Sequence, residues 1–181
     1  MRPDWVAKDP RLCLTLPLWR ELLTPACIVA HRDPLSVARS LHSRDAIPIS
    51  SGIALSEAYA RHAVHHSRDL DRLFVDYTEL VRSPQETTDH IADWLEHRRT
   101  APLAGRSVSP VRADGGRHNV VEGEVLAHLN PSQQQLLRAI EAVLDSPSAE
   151  RVASLDALSA ERLSDDARSI LRSTAPAAHQ Q

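Results

Sequence analysis

Residues 26–41 read ACIVAHRDPLSVARSL, and the order of residue types in this stretch decides the architecture. Ile28 and Val29 lie in a compact apolar run, which predicts a buried strand stopping at the charged pair Arg32-Asp33. Pro34 suits the first turn of a helix, and Leu35, Ala38 and Leu41 then recur at three-residue spacing on one side. The unit is strand, charged turn, helix. It puts Arg32 where the strand ends and Ser40 on the helix that follows. Open α/β sheets bind anionic ligands at strand ends beside helix N-termini, and an arginine fork gives phosphate oxygens several donors. Arg32 and Ser40 are therefore the candidate anion-binding residues, with Arg39 as a neighbouring rival. The plain alternative is a local Arg32–Asp33 pair and a serine that merely decorates a helix.

Working outward from this unit, Trp5 to Ala7 read as the end of a strand halted by Lys8-Asp9-Pro10-Arg11. Residues 12–23 predict a short helix from about Leu18, with Pro17 in its first turn. Past the Pro48 to Gly52 break, residues 53–72 predict a longer amphipathic helix, and LFVDYTEL at 73–80 predicts a second strand through Phe74, Val75 and Tyr77. A helix carrying Ile91, Trp94 and Leu95 starts near Ser83-Pro84. Helical spacing returns at 131–144 and, more weakly, at 160–171, before an end that should fray. The alternation predicts an α/β fold with a parallel sheet flanked by helices and a mostly helical C-terminal part. It divides the chain into a core over 1–99, a loop or lid over the proline- and glycine-rich 100–119, and a helical extension over 120–181.

Composition narrows the chemistry. A chain of 181 residues with 42% apolar side chains suits one domain with a real core. The net charge of -3 argues against a broad nucleic-acid footprint. Lys8 is the single lysine among 21 basic residues, and no glycine precedes Gly52, so a GxxxxGK phosphate loop and a GxGxxG dinucleotide loop are both excluded. Cys13 and Cys27 show neither CxxC spacing nor a ladder of Cys/His ligands, so two reduced thiols are expected rather than a disulfide framework or zinc module. No apolar run is long enough for a signal peptide or a membrane span, which predicts a cytoplasmic protein.

At this point a resemblance enters. WVAKDPRLCLTLPLW, IVAHRDPLSVARSLHSRD and LFVDYTEL together resemble the downstream part of bacterial sulfotransferases that use 3'-phosphoadenylyl sulfate, most strongly at RDPxxxARS. The resemblance covers roughly residues 5 to 95 and implies a partial P-loop-NTPase-like sheet. It implies that Arg32 and Ser40 bind the 3'-phosphate of the donor, and that Lys8 is the lysine that polarises the transferring sulfuryl group. Asp9 is then the candidate general base, Arg117 the candidate phosphate contact from a closing loop, and Tyr77 the counterpart of a packing tyrosine. The donor is the only cofactor implied, no metal is expected, and the acceptor is a small molecule or glycan bearing a hydroxyl or amine. The family's glycine-containing loop for the 5'-phosphosulfate has no counterpart before Lys8, so activity is expected only with a partner chain supplying that element. The rival readings are a noncatalytic nucleotide-binding or assembly module and an inactive fragment.

His62, His65, His66 and Asp69 are the remaining cluster. Their three- and four-residue offsets can gather imidazoles and a carboxylate on one helix, although no HExxH signature is present. A solvated helix face or an acceptor wall is the reading to which the sequence gives more weight than a catalytic metal.

Overall fold

The computed structural model describes residues 6–98, 122–160 and 163–174. Val6 and Ala7 are irregular rather than a strand end. The first helix, α1 (Leu12–Arg20), begins well before Leu18. Its start is set by Asp9, whose side chain accepts the Arg11 backbone N–H at 2.8 Å while its carbonyl accepts that of Leu12 at 3.0 Å. Pro17 consequently lies inside the helix instead of in its first turn. Having no N–H, it leaves the Cys13 carbonyl without its intrahelical donor. The His66 Nδ1–H takes that carbonyl at 2.7 Å, so the defect in α1 becomes an attachment point for another helix.

The order of elements in the central unit follows expectation. Strand β1 (Cys27–His31) is the apolar run, and α2 (Pro34–Asp45) starts at Pro34. But β1 is not the buried strand that its apolar run predicts: Ile28, 45% exposed, and Ala30 lie on an open face, and the other three residues are only half-buried. Next comes α3 (Ile49–Ser67), and strand β2 (Arg72–Asp76) returns parallel to β1, from Cys27 opposite Arg72 to His31 opposite Asp76. Among the described residues the sheet has these two strands. The strand expected over 73–80 ends early, because the Asp76 carboxylate accepts the Thr78 N–H at 2.8 Å and caps α4 (Tyr77–Arg82). Then follow α5 (Pro84–Glu96), α6 (Glu122–Ala127) and α7 (Pro131–Asp145), the last begun by an Asn130–Gln133 capping box. Helix α8 (Ala149–Ala160) has no counterpart in the expectation, and the helix expected over 160–171 is α9 (Asp165–Thr174), which starts later. The Ser164 hydroxyl, accepting from the Ala167 N–H, marks the start of α9. The result is a mostly helical domain with a small two-stranded parallel sheet flanked by helices. No described helix is long and apolar enough to cross a membrane.

Helix α3 is the hub, packed by α1, α2, α8 and α9. At one end Leu35, Ala38 and Ile53 meet Val125, Leu129 and Leu137; at the other, Val64 packs with Leu136, Ile140, Val143 and Leu155. Between them sits a buried ion pair, Glu57 with Arg61, at 3% and 4% exposure. Arg61 Nε donates to Glu57 at 3.0 Å and one terminal nitrogen to the Ser132 hydroxyl at 2.9 Å, while the other terminal nitrogen donates to the Leu158 carbonyl. Glu57 also accepts from the Gln133 amide at 2.9 Å, the Ser164 N–H at 3.0 Å and the Ser164 hydroxyl at 2.8 Å. One carboxylate thus ties α3 to α7 and to the start of α9.

The α2–α3 crossing depends on Gly52. A Cβ built there would lie 2.7 Å from the Ala38 Cα and 2.8 Å from its Cβ, and backbone cannot yield as a side chain can. Gly52→Ala is therefore expected to destabilise the domain by about 1–3 kcal/mol, the usual range for overpacking, despite alanine's better helix propensity. A shift of the urea midpoint to lower concentration checks this; an unchanged or raised midpoint would show that the helices separate freely.

Candidate functional site

Parallel pairing brings the C-terminal ends of β1 and β2 to one end of the sheet, and the candidate site is built there. Asp33 does not pair with Arg32. Its side chain caps α2, accepting the Ser36 N–H at 2.7 Å. Arg32 is left on the turn between strand and helix, with its guanidinium carbon 4.8 Å from the centre of the Tyr77 ring. Tyr77 holds this position because it opens α4 directly after β2. Beyond that stacking, Arg32 makes no hydrogen bond or ion pair among the described residues. A guanidinium poised over an aromatic face, with no carboxylate on it, is equipped to accept an anion.

Ser40 is exposed on α2, six residues past Pro34, which corresponds to about 9 Å along the helix axis. Its neighbour Arg39 is engaged by Glu124 at the start of α6, which removes the rival arginine from the reading. On the inner side, His31 lines a cavity of about 20 Å³ with Ser56, Glu57 and Gln133 among apolar side chains. That volume suits a water molecule and falls far below the several hundred cubic ångströms of a small-molecule pocket. No nucleotide fits inside the cavity.

Lys8 is exposed just ahead of α1 and makes no hydrogen bond to Ser40. Asp9 beside it has both oxygens on the Arg11 guanidinium, at 3.0 and 2.8 Å. Those side-chain bonds, followed by the bond from the Arg11 backbone, hold its carboxyl well below the usual range. As it stands, Asp9 is a poor proton acceptor. Arg117 and the lid over 100–119 lie outside the described residues. Cys13 and Cys27 are free and half-buried, and burial pushes both thiols up.

The histidines separate from Asp69. That residue lies past the end of α3 in a left-handed conformation, 3.8 Å from Arg68. His62 and His66 have ring centroids 5.0 Å apart, and His65 meets His66 edge-on at 5.4 Å.

Burial lowers the pKa of His31, His62 and His65 below the ordinary 6.5; neighbouring imidazoles add to this for His62, as do Arg68 and His66 for His65. Such groups cost the fold nothing while neutral. As pH falls below 6.5 the unfolded chain takes up protons that the folded one resists, so stability declines toward the lowered folded values. The urea midpoint is therefore expected to drop between pH 7.5 and 5.5, and less so in His31→Gln. A midpoint flat across that window would contradict the assignment. Glu57 extends the decline at lower pH: burial pushes it up, but bonds from Ser164, Gln133 and Arg61 prevail and hold it below 4.5.

Comparison with protein-family models, curated proteins and solved structures finds no match. The site residues are therefore argued from the chain itself. Two features escape a reading of the sequence. The Glu57–Arg61 spacing of four was legible as a helical ion pair, but nothing marked it as buried. The stacking of Arg32 on Tyr77 needed the strand register, which brings together two turns far apart in sequence.

Proposed function

We propose that this chain forms the 3'-phosphate side of a sulfotransferase that takes its sulfuryl group from 3'-phosphoadenylyl sulfate. The observation that carries the reading is Arg32: a guanidinium just past the end of a parallel strand, stacked on Tyr77 and left unpaired by Asp33. The parallel β1–β2 pair with helices between them suits a partial P-loop-NTPase-like sheet. Arg32 forks onto two phosphate oxygens, and Ser40 donates a hydroxyl from α2. This chemistry requires a hydroxyl or amine acceptor to attack sulfur while the bond from sulfur to the 5'-phosphate oxygen breaks, leaving adenosine 3',5'-bisphosphate. Lys8 supplies positive charge to the oxygens on which charge builds. Asp9 takes the acceptor proton only once Arg11 lets go of it. The glycine-rich loop for the 5'-phosphosulfate has no counterpart among these 181 residues, and in this reading another stretch of polypeptide supplies it.

Titration calorimetry with adenosine 3',5'-bisphosphate tests the proposal. Saturable binding by the folded chain is the expected result, and no binding would sink it. Transfer of labelled sulfate, lost on Lys8→Ala, separates an enzyme from a module that binds the nucleotide without using it.

A further inference from the structure

The histidines of α3 stand apart from the nucleotide reading. His62 and His66 are four residues apart on one helix face, with ring centroids 5.0 Å apart and planes at 40°. A carbonyl can only accept, so the 2.7 Å contact from His66 to the Cys13 carbonyl puts the proton on Nδ1. In the neutral ring Nε2 then carries a bare lone pair, and the orientation of the ring is fixed by a second helix. That is the outer-shell arrangement that metal-binding histidines commonly have. His62 makes no hydrogen bond among the described residues, which leaves its ring nitrogens for another partner.

The separation has the right size. With metal–nitrogen bonds of about 2.0–2.1 Å and each ring centre roughly 1.2 Å further on, ligands at a tetrahedral angle put the two centroids about 5 Å apart. Among the described residues no group of three or more His, Cys, Asp or Glu forms a ligand set, so two coordination positions remain for water or an outside ligand. Arg20, bonded to the His66 carbonyl at 2.8 Å, opposes a cation and sets an upper limit on affinity.

We propose that His62 and His66 form a two-histidine site for a divalent first-row ion that favours imidazole, with Zn²⁺ as the probe. Occupancy would clamp the last turns of α3 and, through the His66–Cys13 bond, hold α1 against it. The test is titration calorimetry with zinc chloride at pH 7.5 on the full chain. One ion per chain is expected, with affinity lower in His62→Gln by at least the roughly tenfold that losing an outer-shell partner already costs. His62→Gln leaves the His66–Cys13 bond in place, and far-UV circular dichroism verifies its fold. His65→Gln, the control, is expected to bind like the parent. Undiminished binding by folded His62→Gln overturns the proposal. So does no uptake by the parent chain, or an equal loss in His65→Gln.

Discussion

Arg32→Ala is expected to weaken the binding of adenosine 3',5'-bisphosphate by about a hundredfold or more. A hydrogen bond to a charged group contributes about 1.5–3 kcal/mol, and an arginine fork makes two to a phosphate. Each 1.4 kcal/mol is a factor of ten, so losing both reaches that size before any loss of stacking. The variant should fold normally, since Arg32 bonds to no other described side chain and rests only on the Tyr77 ring. Arg32→Lys should keep the charge and recover part of the affinity, because an ammonium cannot form the planar fork. Tyr77→Leu should cost only a fewfold, in line with about 0.5–1 kcal/mol for an exposed cation–π contact. Calorimetry on the three variants reads this order. Equal affinities in the parent and Arg32→Ala would move the anion site elsewhere.

Glu57→Ala is expected to be the most damaging single change to the fold. It leaves the Arg61 guanidinium, only 4% exposed, without a counter-charge, and it strips acceptors from Gln133 and from both donors of Ser164. Breaking a buried pair from one side costs about 3–5 kcal/mol, a large share of the roughly 5–15 kcal/mol that holds a typical domain together. At about 2–4 °C per kcal/mol for a chain of this size, Tm should fall by roughly 6–20 °C. The double variant Glu57→Leu/Arg61→Met removes both charges and should recover much of the loss. A single variant within about 1 kcal/mol of the parent in urea would mean that water reaches Arg61.

The part of the fold that the sequence made legible is the part governed by local rules. The charged pair Arg32-Asp33 followed by a first-turn proline let the β1–α2 junction be placed to the residue, while the capping of α2 by Asp33 emerges only from the structure. Tyr77 to Leu80 misled because β propensity and capping compete in VDYTEL, and the Asp76 cap outweighs the aromatic ring. The start of α9 was written as Ser164-Asp165-Asp166, a helix start that the apolar spacing across 160–171 obscured. For the candidate site, Arg32 and Ser40 could be named from position along the chain. What holds Arg32 could not, because Tyr77 reaches it only through the pairing of strands joined by two helices. Lys8 and Asp9 stood out by residue type, yet the clasp of Arg11 on Asp9 depends on how the chain turns into α1.

Pro17 and His66 carry a last consequence. The proline opens the Cys13 carbonyl, and the histidine fills it. An ordinary residue at 17 would close that carbonyl within its own helix and leave the imidazole proton with no acceptor; a residue without a donor at 66 would leave the carbonyl bare. A change at either position is therefore felt at the other, although 49 residues separate them along the chain.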